Sequence, residues 1–412
     1  MSVQLLKTNP RVNTWLMLLG VMLALTLNAS AQFSSGSTGA DGPLDFSNVT
    51  PGSVVIFDPT KFTAVPHVAG QNVFNFTTIT IPANVTVVLS GQNLSGPMFW
   101  LAQGDVRING HIASDGQPGS GFTTDVALRV PSIPGPGGYS GGVGGGGLNN
   151  SAAMAGNGPG GGRPGDFTVD GHANGGRFTG SPTGPLVGGS GGGGGRGSVN
   201  DTRFDSGGGA GGGALLIASS TSITINGLIS ANGGGTTQGF LGLCPGGGSG
   251  GVIRLAANAI SGTGSVTANG GGACAGRGGT DGSIQFEAFQ IAGVTGSPIA
   301  AQSAPGALFL PTVPVSIQVA SIAGTALPTT PTGSFQTPDV IINSSSPVPV
   351  AIQVSGIPPG TVLTLFVFAE NGTFQTVQTS PLTGTLQSST ATASITFLPD
   401  LSLGYVKATW TQ

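Results

Sequence analysis

The amino-acid sequence predicts an all-β chain: a parallel β-solenoid that carries a glycine-rich insertion and is followed by a small β-sandwich. Three observations support this. Gly accounts for 77 of 412 residues and charged residues for only 7%, which excludes an ordinary helical globule. Hydrophobic residues nonetheless reach 38%, many of them Val, Ile and Phe, so there is enough β-forming apolar surface to fold. The apolar stretches also recur every few tens of residues, as stacked coils require.

The first element is a leader. Lys7 and Arg11 precede an apolar run from Trp15 to Leu27, and Ala29-Ser30-Ala31 follows as an A-x-A cleavage site. The run is shorter than the roughly 20 residues of a membrane anchor. Residues 1–31 are therefore expected to be a signal peptide, leaving a secreted or cell-envelope chain from Gln32 with no membrane span. Lys+Arg 12 against Asp+Glu 15 gives no electrostatic footprint for nucleic acid. Export favours pairing of Cys244 and Cys274 as a disulfide, and no His pattern beside them marks a zinc site.

Residues 32–310 carry the repeat. ALLIASSTSITINGLISANGG at Ala214 superposes on GVIRLAANAISGTGSVTANGG at Gly251 with a shift of 37 residues, matching Ile223 with Ile260 and Ile229 with Val266. A third copy, PMFWLAQGDVRINGHIASDG at Pro97, places Val106, Ile108, Asn109, Gly110 and Ile112 on Ile223, Ile225, Asn226, Gly227 and Ile229. A weaker copy begins at Ile79. Short alternating strands broken by Asn-Gly turns fit coils whose like residues stack. Asn-Gly turns also fit an antiparallel hairpin array.

Between these copies, residues 116–213 hold runs such as Gly191 to Gly195 and Gly207 to Gly213. A flexible linker is one expectation. The other is a layer of extended glycine strands packed side by side, with Tyr139, Phe167, Phe178 and Phe204 anchoring it to the solenoid flank. In residues 311–412 the glycine density drops and six or seven alternating strands follow, among them Val348 to Val354, Val362 to Phe368 and Ala391 to Leu398. That is the strand rhythm of a β-sandwich, with Phe366, Phe368, Phe397 and Trp410 as its aromatic core and turns at Pro358-Pro359-Gly360, Asn371-Gly372 and Pro399-Asp400.

ITIPANVTVVLSG at Ile79, FWLAQGDVRINGHIASDG and the glycine-rich loops around ALLIASSTSITINGLISANGG together resemble secreted bacterial glycine-rich proteins of the right-handed parallel β-helix type. The C-terminal part is similar to immunoglobulin-like sandwich modules. Neither resemblance implies a single activity.

The densest group of chemistry-bearing side chains is Asp105, Arg107, His111 and Asp115. Asp105 and Arg107 share a strand face and are expected to form a solvated surface ion pair. Asp201, Asp205 and Asp281 lack the regular spacing of a calcium repeat and are expected in turns. His67 and His172 have no partners at ligand or triad spacing, and Glu287 and Glu370 fall in different domains. No catalytic, cofactor or metal site is thus predicted. The function expected is an exported structural, adhesive or glycan-binding protein whose partner is a polysaccharide or another surface protein. The alternatives are a carbohydrate-active β-helix enzyme working near Asp105 and a self-assembling secreted matrix protein.

Overall fold

A computed structural model describes residues 32–61, 72–94, 96–125, 128–146, 152–165, 172–197, 202–237, 243–310, 316–328, 339–369, 374–397 and 404–409. The leader, His67, Phe167, Asp201, Glu370, Asn371-Gly372, Pro399-Asp400 and Trp410 lie outside the described residues.

The described chain is almost entirely strand and loop, with no α-helix. It enters through β1 (Gly42–Asp45), β2 (Val54–Ile56), β3 (Asn72–Ile81) and β4 (Thr86–Val88). Four strand triplets follow: β5 (Met98–Ala102), β6 (Val106–Ile108) and β7 (His111–Ala113); β8 (Ala214–Ser219), β9 (Ser222–Ile225) and β10 (Leu228–Ser230). The third is β11 (Val252–Ala256), β12 (Ala259–Ser261) and β13 (Ser265–Thr267). The fourth is β14 (Ser283–Glu287), β15 (Gln290–Ala292) and β16 (Thr295–Ser297), after which comes β17 (Ala301–Ser303).

Each strand of a triplet pairs in parallel with its counterpart in the next, giving three stacks. The first runs β3-β5-β8-β11-β14-β17, the second β3-β6-β9-β12-β15, and the third β2-β4-β7-β10-β13-β16. Strand β3 joins the first two into one curled sheet, because its first half pairs with β5 and its second half with β6. Parallel in-register pairing sets like residues over one another. Phe74, Trp100, Ile217, Leu255 and Phe286 form one column, Ile79, Val106, Ile223 and Ile260 a second, and Val87, Ile112, Ile229 and Val266 a third. All are buried in a single apolar cluster.

The polar residues between them face outward, as with Arg107, Thr224 and Ser261 in one line. Burial of an isoleucine of this kind contributes about 1.5–3 kcal/mol. Ile223→Ala is expected to cost about 2–5 kcal/mol, whereas Thr224→Ala is expected to stay within about 0.5 kcal/mol of the parent. Urea midpoints check this, and equal losses for the two variants would contradict the assigned column.

The glycine-rich segment leaves after β7 and returns at β8, yet Trp100 and Ile217 pair directly, so the excursion does not break the stack. Its described backbone is extensively bonded. Gly191, Gly192 and Gly193 donate to Asn157, Gly209 and Asn174, in three different segments, and Gly194 and Gly195 return to the first two segments at Met154 and Ser206. The carbonyls of Gly191, Gly192 and Gly193 accept from Gly162, Gly142 and Gly246. The direction repeats every third residue, the period of polyproline II, so one chain pass is bonded to six neighbours. A Cβ on Gly192 would meet the Gly246 carbonyl, and one on Gly211 the Gly189 carbonyl, nearer than real Cβ contacts allow. The glycines are there because the backbones touch.

Separate antiparallel sheets complete the chain. They comprise β18 (Ser316–Ile322), β19 (Thr325–Ala326), β20 (Val348–Ser355), β21 (Val362–Ala369), β22 (Phe374–Pro381), β23 (Thr383–Gly384), β24 (Ser389–Ile395) and β25 (Gly404–Thr409). One sheet orders β19-β18-β20-β24-β23 and the other β22-β21-β25. Val350, Ile352 and Val354 of the first share an apolar cluster with Leu363 and Leu365 of the second, which Val187 of the glycine layer joins.

Candidate binding groove

The corners between the second and third strands of successive triplets carry Asn109-Gly110, Asn226-Gly227 and Thr263-Gly264, and Asn84 stands at the matching corner before β4. Asn84 adopts φ 62, a left-handed conformation that asparagine tolerates. A Cβ on Gly227 would meet the Gly110 carbonyl, and one on Gly264 the Gly227 carbonyl, so glycine is what allows these corners to stack closely. Stacking joins the side chains above them into a ladder. Asn226 Nδ2 donates to Asn109 Oδ1 at 2.9 Å, and Asn226 Oδ1 accepts from the Thr263 N–H at 3.3 Å.

Beside the ladder runs an outward column of the third stack, Thr86, His111, Leu228 and Ser265, each in register with the next. Ladder and column enclose an open groove of about 650 Å³ that runs over five levels of the stack, from Gly52 to Ser265, four of which carry polar side chains. Its lining contains no Asp, Glu, Lys or Arg.

His111 is held from behind. Its Nε2 lies 2.8 Å from Ser230 Oγ, and Ser230 donates to Asp115 Oδ2 at 2.7 Å. Asp115 Oδ1 accepts from the Asn232 N–H at 2.6 Å. Because the single Ser230 proton goes to the carboxylate, its oxygen accepts from His111 Nε2–H, leaving Nδ1 as the unprotonated nitrogen of the neutral ring. A nucleophilic triad places the histidine between serine and aspartate so that it takes the serine proton. Here the serine stands in the middle and is only 1% exposed, so it acts as a relay that fixes the ring.

Desolvation lowers the His111 pKa, partly offset by the Asp115 charge. A histidine whose folded pKa lies below its unfolded value near 6.5 costs no stability above that pH and destabilises the fold as pH falls through it. Urea midpoints of the parent are therefore expected to fall, relative to those of His111→Gln, between pH 7.5 and 5. A difference that stays flat or changes sign would contradict the desolvated ring.

The other side chains singled out in the sequence are placed elsewhere. Asp105 and Arg107 form an ion pair at 3.1 Å with side chains 42% and 63% exposed. The Thr221 and Ser222 hydroxyls, followed by Arg107, hold the Asp105 carboxyl below the usual carboxylate range. A general acid needs the opposite shift. Thus His111 and Asp115 are brought together through Ser230, while Asp105 and Arg107 form a separate surface pair. Asp281 accepts from the Gly270 N–H, Asp205 is buried and accepts from the Ser206 N–H, and His172 Nδ1 accepts from the Cys244 N–H. Cys244 and Cys274 are joined by a disulfide, with Cα atoms 5.6 Å apart. Among the described residues no cluster of three or more His, Cys, Asp or Glu side chains forms a metal site, and no helix is long and apolar enough to cross a membrane.

Ser230 and the asparagine ladder carry no signal of their own as single residues. Their signal is the repeat itself, which already sets Asn109 on Asn226. The chain matches no known family model, no curated protein and no solved structure.

Proposed function

We propose that this chain is an exported, non-catalytic surface protein that binds glycan, with the three stacks forming a right-handed parallel β-helix and the C-terminal sheets an immunoglobulin-like sandwich. The observation that carries the binding role is the open groove, whose lining offers amides, hydroxyls and one neutral imidazole but no charged acid or base. Neutral hydrogen-bonding groups placed by a rigid scaffold suit recognition of hydroxyl-rich ligands. The glycine layer, with each pass bonded to its neighbours, supports a stiff and protease-resistant body.

The test is co-sedimentation of the full exported chain with insoluble cellulose, chitin, mannan and xylan, with assay of the supernatant for released sugars. Depletion by at least one polymer without product supports the role. Failure to pellet with any of them, or release of oligosaccharides, would overturn it. Self-assembly has one specific observation in its favour, the apolar Val54 and Ile56 of end strand β2, which are 68% and 57% exposed. Sedimentation velocity of the purified chain separates the two roles: a concentration-independent monomer is expected for the glycan binder.

A further inference from the structure

We propose that the groove takes a linear, uncharged polysaccharide laid along the axis of the stack, one sugar per level, and that the Asn109–Asn226 ladder and His111 select it. This rests on the glycan-binding role above and adds the ligand's class, direction and register.

Three features of the groove converge on that ligand. The first is spacing: in-register parallel strands repeat about every 4.8 Å, close to the length of one pyranose in an extended chain. The rungs at Asn84, Asn109 and Asn226 present amides and Thr263 a hydroxyl, so each sugar meets a polar group at its own level, and in a β-1,4 chain, whose units alternate by about half a turn, like edges return at every second level. A polymer lying across the stack would meet unlike groups at each step.

The second feature is hydrogen-bonding capacity. Each amide offers two N–H donors and two acceptor lone pairs, and the ladder bonds of Asn226 use one of each. Asn109 and Asn226 are exposed, so their remaining capacity faces solvent. A sugar hydroxyl both donates and accepts and matches such groups in either sense. Asp115 and Ser230 hold His111 as the Nε2–H tautomer, so its Nδ1 only accepts and requires a hydroxyl that donates. The third feature is charge and surface. A uronate or sulfate chain would lose hydration in this groove without gaining a cationic partner. Leu228, set between the polar rungs His111 and Ser265, gives the C–H face of a sugar an apolar seat.

Isothermal titration of the full mature chain with β-1,4-linked glucose, mannose and N-acetylglucosamine oligosaccharides of two to eight sugars tests this. For one of the series, affinity is expected to rise with each added sugar up to about four, the number of levels at which the groove offers a polar side chain, and then to level off. Asn109→Ala combined with Asn226→Ala removes about two hydrogen bonds to the ligand and is expected to weaken binding ~10-fold; because it also removes the ladder bonds and lowers the melting temperature, binding is compared where circular dichroism shows both proteins fully folded. His111→Phe is expected to weaken it by a further few-fold, while Thr224→Ala leaves it unaltered. Retained polysaccharide binding by the double asparagine variant would overturn the groove assignment while leaving the glycan-binding role intact. Tighter binding of galacturonate oligomers than of any neutral series would overturn the uncharged ligand. Failure of the parent chain to bind any polysaccharide removes the role and this inference together.

Discussion

Gly211→Ala is expected to destabilise the protein by about 3 kcal/mol or more, at the upper end of what overpacking costs. The new methyl group would overlap the Gly189 carbonyl, and the neighbouring backbone has no room to yield. Gly189 itself donates to Gly212 and accepts from Tyr139, so a shift to relieve the clash breaks further bonds of the same layer. Gly184→Ala is the matched control, since nothing lies within 4 Å of the position its Cβ would occupy. That substitution is expected to be neutral or to stabilise by up to about 1 kcal/mol through the unfolded chain. Urea unfolding of both variants, with hydrogen exchange over residues 186–213, gives the comparison. Similar midpoints for the two would mean that the glycine passes are not in backbone contact.

The same glycines show where sequence stops being informative. Their abundance signals close backbone approach, but a residue without a side chain carries nothing that names its neighbour. That Gly192 bonds Gly209 while Gly193 bonds Asn174 depends on the geometry of the returning loops. The inner columns were readable for the opposite reason, because parallel stacking places like on like, and Ile223 over Ile260 appears as a similarity at a fixed shift.

The fixed shift also hid a level. Val252 pairs with Ser283, a step of only 31 residues, so β14 to β16 fall off the 37-residue register and show no match at that shift. Serine at 283 and Gly296 opposite Val266 blur the apolar pattern further. The groove was half legible. The equivalence of Asn109 and Asn226 is visible in the repeat, but Asn-Gly is so strong a turn signal that the turn alone accounts for both asparagines. The His111, Ser230 and Asp115 chain was less accessible still, since Ser230 reaches the other two from the next level of the stack.

Glu287→Ala is expected to cost about 3–5 kcal/mol, because it strands a buried cation. Arg254 stands in the outward column of β11, between Leu216 and Gln285, where strand alternation alone expects a solvated charge. Both side chains are only 3% exposed, and Arg254 Nη2 lies 2.9 Å from Glu287 Oε2. The same nitrogen reaches the Ala307 carbonyl at 3.2 Å, while Nε and Nη1 have no partner among the described residues. Arg254 is thus under-satisfied even with its counter-ion, and among the described residues no other acid lies in ion-pair contact with it. Replacing both residues by leucine removes the two desolvated charges together and is expected to return stability to near the parent or above it. The resulting double-mutant cycle should show a coupling of at least about 2 kcal/mol. If Glu287→Ala alone stayed within about 1 kcal/mol of the parent, the guanidinium would have to be reaching water, and the outward face of the first stack would not be closed over it.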